Sequence, residues 1–513
     1  MAPCAIAQSI RDKIKPLEEL GEMLPALRGG DQKVVHCHGV FDPLHIGHIR
    51  HFEQAKKMGG ILVVTVTPDR YVNKGPHRPI FPAELRAEAI AALECVDFVA
   101  VNEWPMAVET IQLLRPDYFI KGCEFKKRKD ITGAIELEER AVHSVGGQLA
   151  FTGDVTFSSS HLVNRHFPVF PRAVSDYLAT FAARYPIENI LRHIESLRDV
   201  KILIVGEAVI DEYQYCEAIG KSKEPSLAVK YLSSEKFAGG ALALANHAAN
   251  FSDQVTLLSM LGTENDLEAF INEKLSPKIE KRFVYRAGSP TVVKRRFVET
   301  YFLSKLFEVY EINDRKLEEG YTEQLCQDLR GRLREYDVVI VADFGHGMLG
   351  REAVDILCRE APFLAVSTQS NAGNLGYHAV SRYPRADYVC LAEPEVRLDA
   401  RDRRGNLRTM IRRLSRKLGC QRAIVTRGKR GCLCYSHEGE FAAVPAFAGP
   451  VVDRVGAGDA FLALTAPLMV KDVPMELVGF IGNVVGAQAV ATVGHRHSIE
   501  RTSLCRHIEH LLK

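Results

Sequence analysis

Two short stretches of this sequence hold residue types whose spacing could do chemistry. The first is His38-Gly39-Val40-Phe41-Asp42-Pro43-Leu44-His45-Ile46-Gly47-His48. A strand ends at Gly39, where the absence of a Cβ lets backbone approach a ligand. His45 and His48 follow near the start of the next helix, three residues apart. At that spacing the two imidazoles share one helical face and reach one phosphate group. The helix N-terminus adds N–H donors and the positive end of its dipole. Phosphoryl and nucleotidyl transfer need charge neutralisation and in-line placement more than covalent chemistry, so this stretch reads as a transfer site rather than as a pair of ordinary surface histidines. The second stretch is Asp453-Arg454-Val455-Gly456-Ala457-Gly458-Asp459-Ala460-Phe461. Glycines at 456 and 458 let successive backbone N–H groups face inward as an anion cradle. A helix starting near Asp459 adds its dipole, and the Asp459 carboxylate can accept a proton from a substrate hydroxyl while the cradle holds the transferring phosphoryl.

Both stretches need rigid elements to hold them, and the pattern supplies them. Lys33–Asp42 (KVVHCHGVFD) and Lys201–Asp211 (KILIVGEAVID) each read as a β-branched strand leading into glycine and acidic residues. Each is followed by alternating apolar runs and amphipathic stretches, which predicts two parallel α/β domains. Prolines 168, 171 and 186 flank an amphipathic segment, and the junction is placed at 170–198. Ser226–Tyr231 and Thr291–Ile312 alternate rather than run apolar, which predicts an antiparallel, half-exposed sheet added as a lid.

A length of 513 residues predicts two or three domains, and 66 Lys+Arg against 64 Asp+Glu excludes a chain built to coat nucleic acid or anionic membrane. Arg401–Lys417 is the most basic window, but it lacks interleaved aromatics and reads as a solvated helix with Leu407, Ile411 and Leu414 inward. Lys126-Lys127-Arg128-Lys129 reads as a solvated loop. No apolar run of about 18 residues predicts a membrane span. The N-terminus lacks the basic-then-apolar order of a secretory signal and reads as the first helix of a cytoplasmic protein. The 12 cysteines are scattered without paired CxxC spacing, so neither a zinc site nor a disulfide scaffold is expected.

The first stretch resembles the HxGH nucleotidyltransferase superfamily, in its cytidylyltransferase-like branch, over about residues 30–166. Agreement in order extends to Thr67-Pro68-Asp69, Arg78-Pro79, Glu84-Leu85-Arg86, Pro116–Gly122 and Thr156–Ser160. The resemblance implies a Rossmann-like domain, catalytic roles for His45, His48 and Lys121, and nucleotide contacts at Gly39, Phe41, Arg86, Ser158, Ser159 and Ser160. Lys74 would be a loop ligand to phosphate. The string His45–His48 also occurs in class I aminoacyl-tRNA synthetases. Those need a second lysine loop, and the one lookalike here, Gly220–Lys223, follows the first strand of the other domain. That reading is rejected.

The second stretch resembles the ribokinase-like sugar kinases, the phosphofructokinase B family, over about residues 199–513. The resemblance implies a three-layer α/β fold with a small β lid. Asp459 matches the catalytic base, and Gly456, Ala457 and Gly458 match the anion hole. Asp211, Gly239, Gly240 and Asp343 match sugar-side positions. Thr426, Gly428, Gly431 and Asn483 match nucleotide-side positions. Two amides of the family pattern are replaced, by Ala243 and Ala392, while Glu395 survives as a water-mediated Mg²⁺ ligand.

The expected organisation is therefore a nucleotidyltransferase domain at 1–169, a helical linker at 170–198 and a sugar kinase domain at 199–513, with its lid at 213–235 and 284–312. Both modules occur, in reversed order, in the bifunctional heptose kinase/nucleotidyltransferases. By that resemblance the chain phosphorylates a sugar or sugar phosphate with ATP, then couples a sugar phosphate to a nucleotide from ATP or CTP with release of pyrophosphate. Heptose-like substrates and Mg²⁺ are implied, as is a homodimer through the lid, with neither nucleic acid nor membrane as a partner. The alternative is an active nucleotidyltransferase with a regulatory, sugar-binding kinase-like half.

Overall fold

The computed structural model describes residues 8–28, 32–72, 78–122, 134–153, 170–221, 226–265, 267–301, 303–313, 315–374, 376–437, 440–449 and 451–512. The chain divides into two compact units, Met1–Arg172 with Cys505–Lys513, and Ala173–Leu504. Ser158, Ser159, Ser160 and Lys74 lie outside the described residues, as does the basic run at 126–129.

The first unit is built on β1 (Val34–Gly39), β2 (Ile61–Val66), β3 (Phe98–Val101), β4 (Tyr118–Lys121) and β5 (Gln148–Phe151), in the order β3-β2-β1-β4-β5. All pairings are parallel. β2, ILVVTV, is buried along its whole length, as a strand covered on both faces must be. The order reverses between β1 and β4, so the crevice beyond their carboxyl ends is the switch point where open α/β sheets bind ligands. Gly39 ends one of these strands and Lys121 the other.

The second unit carries a nine-stranded sheet of β6 (Lys201–Gly206), β9 (Gln254–Gly262), β10 (Ile279–Arg286), β13 (Val338–Asp343), β14 (Leu364–Thr368), β15 (Tyr388–Ala392), β16 (Arg422–Thr426), β17 (Cys432–Ser436) and β18 (Phe441–Val444). It runs parallel from β10 to β16 and ends in the antiparallel pairs β16–β17 and β17–β18. Its switch point lies between β6 and β13, which places Glu207 and Asp343 at the mouth. Residues 173–198, set apart above as a linker, group with this unit. The reason is apolar burial: Ile190, Leu191 and Ile194 face inward, and Phe181 stacks on Phe480 with ring centroids 4.2 Å apart.

A separate four-stranded sheet, β12 (Ser304–Glu311), β11 (Val292–Glu299), β7 (Ala208–Lys221) and β8 (Leu227–Gly240), forms the lid. Three expectations are corrected here. Residues 284–286 belong to β10 at the edge of the main sheet, where Ile279–Arg286 pairs parallel with β9. The lid is mixed, because β11 pairs parallel with β7 between two antiparallel pairs. Asp211 does not end the first strand: the chain leaves the main sheet at Gly206, where a Cβ would lie 2.2 Å from the Ala342 carbonyl, and re-enters as lid strand β7. The lid register then sets Lys294 beside Asp211 and Arg296 beside Tyr213. Helix Leu407–Leu418 buries Ile411 and Leu414 and keeps its arginines outward. Among the described residues no helix is long and apolar enough to cross a membrane.

Candidate active sites

In the first unit, His45 caps the helix Ile46–Lys57, its Nδ1 accepting the Gly47 N–H at 3.1 Å. The ring thereby holds one helix-end donor in place and fixes its own orientation. His48 lies one turn on, and the two rings stack with centroids 3.8 Å apart. Beneath them Phe41, buried and at φ 51°, packs edge-on against His48 and Phe52. Gly39 is glycine because of this ring: a Cβ there would lie 2.9 Å from the Phe41 ring. Gly39 and Phe41, expected to touch nucleotide, are thus joined as a support under the histidine pair.

Lys121 reaches the same end of the sheet and pairs with the buried Glu138 at 2.7 Å. Around it, burial first and the Lys121 charge second hold three imidazoles neutral: His36 falls to about 3, His51 to about 4, and His38 lies well below its ordinary value. His36 and His38 both share the Thr65 hydroxyl, at 2.7 and 2.9 Å. Arg86, expected as a phosphate ligand, is corrected to a clamp. It is buried, and its guanidinium donates to the carbonyls of Phe81, Val40 and Thr67 at 2.7–2.9 Å and to the Asp69 carboxylate. Its substitution therefore tests stability. Arg86→Met removes the buried guanidinium that joins three carbonyls, one of them buried, and the first unit is expected to lose about 2–4 kcal/mol in a denaturant titration.

In the second unit the helix Ala457–Met469 starts at Gly456, whose φ of 78° suits glycine, and presents Asp459 in its first turn. Asp459 and Gly458 line a cavity of about 230 Å³ with Asp343, Ala392, Glu395 and Thr426. Burial pushes Asp459 up to about 6, with Asp211 adding to the shift and His495 and Lys294 opposing it. Glu395 rises to about 7, chiefly by burial, although its oxygens accept the Ala392 and Ser370 N–H groups at 2.7 and 3.2 Å.

A model of the pfkB family of carbohydrate kinases matches residues 199–502, more than half of the chain. The chain belongs to the pfkB family. A cytidylyltransferase-like model matches residues 36–166, the unit that carries the stacked histidines. Among curated relatives, the bifunctional protein HldE of Nitratiruptor sp. is 35% identical over 137 residues, 26% of this chain and 30% of that protein. HldE of Campylobacter jejuni is 39% identical over 131 residues, 24% of this chain and 28% of that protein. The chain thus spans less than a third of the length of the curated relatives it matches. The structure of Escherichia coli phosphofructokinase-2 in complex with substrates and products shares the fold, with a TM-score of 0.50 at 13% identity over 61% of this chain and all of that one.

Within this pfkB-family unit the residues expected on the sugar side divide. Asp211 and Gly239 are brought together so closely that a Cβ on Gly239 would lie 2.1 Å from an Asp211 oxygen. Gly240, at φ 58°, turns the chain from β8 into the helix Ala241–Ala249. Asp343 lines the cavity, but its carboxylate is engaged by Tyr383 at 2.6 Å, His378 at 2.7 Å and Arg382 at 3.2 Å, so it braces the loop rather than offering oxygens to a sugar. Of the residues expected at the nucleotide, Thr426 lines the cavity, and Gly428 and Gly431, at φ 55° and 75°, close the turn after β16. Asn483, expected at the nucleotide, donates instead to the Val444 and Pro445 carbonyls at 3.1 and 3.0 Å, the segment on which Gly431 also packs.

Several residues of this site were not foreseen. Arg296 pairs with Asp211, and Lys294, buried on the same strand, faces the rings of Tyr310 and Phe344 at 5.4 and 5.7 Å. Lys305 and Tyr213 hold the Asp453 carboxylate, the lysine at 2.6 Å. Glu207, pushed to about 7 by burial and by Asp343, accepts the N–H groups of Phe344 and His346 at 2.9 and 3.0 Å. His495 sits against Gly456. The alternation of Lys294 and Arg296 on a strand with one buried face was the available signal for two of these.

Proposed function

We propose that this chain is a bifunctional enzyme of nucleotide-activated sugar synthesis, its pfkB unit phosphorylating a sugar or sugar phosphate and its cytidylyltransferase-like unit coupling a sugar phosphate to a nucleotide. The observation that carries this reading is that each unit has its own candidate group beyond the carboxyl ends of its own parallel strands: Asp459 beside the glycine turn, in a cavity with Asp343 and Thr426, in one, and the stacked His45 and His48 against Phe41, just past β1, in the other. Its support from relatives is the likeness of part of the chain to bifunctional HldE proteins, which makes a heptose-like sugar the first substrate to test.

In the kinase step Asp459 takes the proton of an acceptor hydroxyl as that oxygen attacks the γ-phosphorus, and ADP leaves. The Gly456–Gly458 turn and the helix dipole stabilise the charge on the transferring group. In the transferase step a sugar-phosphate oxygen attacks the α-phosphorus of ATP or CTP and pyrophosphate leaves. His45, His48 and Lys121 hold the charged oxygens. Glu395 gives the cavity a carboxylate whose ionisation burial disfavours, an oxygen donor that suits Mg²⁺ held through water. When bound, the ion would neutralise the triphosphate.

The test crosses ATP, CTP, GTP and UTP with heptose, hexose and polyol phosphates and their dephosphorylated forms, reading ADP and pyrophosphate separately. Both signals converging on one sugar series is the expected result. Pyrophosphate without sugar-dependent ADP would overturn the bifunctional reading in favour of a regulatory kinase-like half. A second copy is the expected partner, through the lid, where Ile219, Tyr231 and Tyr301 are 69%, 61% and 82% exposed. Replacing Ile219 and Tyr231 together by Glu is expected to halve the mass read by light scattering, to the 57.1 kDa of one chain.

A further inference from the structure

Three consecutive residues, Gly494, His495 and Arg496, each contact a different part of the kinase centre. The Gly494 N–H donates to Asp453 Oδ2 at 3.0 Å, at the start of the glycine turn. Gly494 has φ 51°, and a Cβ there would lie 2.9 Å from the Phe237 ring, so this backbone needs glycine twice over. Arg496 makes a two-pronged contact with Glu235 of lid strand β8, at 2.9 and 2.5 Å. Between them the His495 side chain is 5% exposed, and its Nε2 lies 3.4 Å from Asp211 Oδ2. Its ring is pressed so closely on the anion-hole turn that a Cβ at Gly456 would lie 2.0 Å from Cε1.

We propose that His495 is a positioning residue of the kinase centre, holding the Asp211 carboxylate in register with Asp459 and setting a positive charge against the glycine turn. The inference rests on the kinase reading above and goes beyond it, by assigning a charge that the motif residues do not supply.

The groups that face His495 come from four elements: Asp211 on β7, Arg296 on β11, Asp459 on the helix Ala457–Met469 and His247 on the helix Ala241–Ala249. His247 is neutral, since burial first and His495 second hold it at about 3, and its Nδ1 accepts the Ile499 N–H at 3.0 Å. Burial pulls His495 down, but Asp211 and then Asp459 outweigh it, with Arg296 opposing, and its affinity for the proton is raised. A positive imidazole in contact with the glycine turn is preorganised for the charge that develops on a transferring phosphoryl group. A neutral packing histidine at this position would be replaceable by an amide of similar size; a charged one would not.

The experiment compares the full chain with its His495→Gln variant and reads kcat, both KM values and the pH profile of ADP formation. The expected result is a fall in kcat of about 10- to 100-fold and a raised acceptor KM, with ATP KM within about twofold. The wild type should lose activity as pH rises through the elevated His495 pKa, and the variant should lack that limb. A His495→Gln enzyme with full kcat and an unchanged profile would overturn the proposal. A second arm needs no turnover: with ¹³Cε1-labelled histidine, the resonance missing from His495→Gln identifies the ring, and its titration midpoint should drop in Asp211→Asn. An ordinary midpoint that Asp211→Asn leaves in place would also overturn it. Should the wild type form no ADP with any acceptor, the kinase reading fails, and the titration arm still decides the pairing.

Discussion

Asp459→Asn is expected to lower acceptor-dependent ADP formation by about 10²- to 10⁴-fold, the range by which a positioned general base contributes. The amide fits the same space at the first turn of the helix but cannot take the hydroxyl proton. Both KM values should change little, because the interaction lost is made as the proton moves. The same group sets the acidic limb of the wild-type profile. Its pKa is raised to about 6, so the working, ionised form is lost as pH falls through that value, and kcat should decline there. The sign for stability is opposite to that for activity. A carboxyl whose pKa is higher in the folded chain than in the unfolded one destabilises the fold at every pH above its unfolded value. The neutral amide removes that cost, and the variant should melt no lower than the wild type at pH 7. A catalytically dead protein with an unchanged or raised Tm would separate loss of the base from loss of the fold. An Asp459→Asn variant that still forms ADP at the wild-type rate would remove Asp459 from the mechanism.

The division between what the sequence disclosed and what it concealed follows the range of the interactions. Strands such as β1 and β2 carry their burial in their own residues, and the glycine at 456 announces a backbone need that the structure shows at φ 78°, whereas Gly458 is an ordinary helical residue with open space around it. Those features were legible. Arg86 and Asn483 were placed by motif position, and each is held instead by backbone carbonyls far away in sequence, Val40 for one and Val444 for the other. A motif position says where a side chain starts; the carbonyls it satisfies are set by tertiary packing. Asp211 stands out by its motif position, but its surroundings do not, because Arg296 and His495 approach it from 85 and 284 residues further along the chain. His495 itself sits in Gly-His-Arg-His, which offers no periodic or motif signal. Its role rests on the lid register and the curl at Gly494, neither of which single-residue chemistry discloses.

For the first unit the expected result is that His48→Ala and His45→Asn each reduce pyrophosphate release by about 10²- to 10³-fold while ADP formation keeps its wild-type rate. The geometry explains why one ring does not substitute for the other: the two stack with centroids 3.8 Å apart and planes 21° from parallel, and the Nδ1 of His45 is already taken by the Gly47 N–H. Charge neutralisation of a triphosphate by this pair also needs Lys121, at the same end of the sheet. The two substitutions differ in what they do to the helix. His45 is the N-cap of Ile46–Lys57, and asparagine retains a side-chain oxygen for the Gly47 N–H, so His45→Asn removes the imidazole while preserving the cap. His45→Ala removes both and should cost the first unit about 1 kcal/mol more than His45→Asn, measured as a shift in its denaturation midpoint. Equal loss of pyrophosphate release in His45→Asn and His45→Ala, with unequal stability, would assign the loss to the imidazole itself. A variant that remained folded yet lost ADP formation as well would show that the histidine pair and Asp459 do not serve separate reactions.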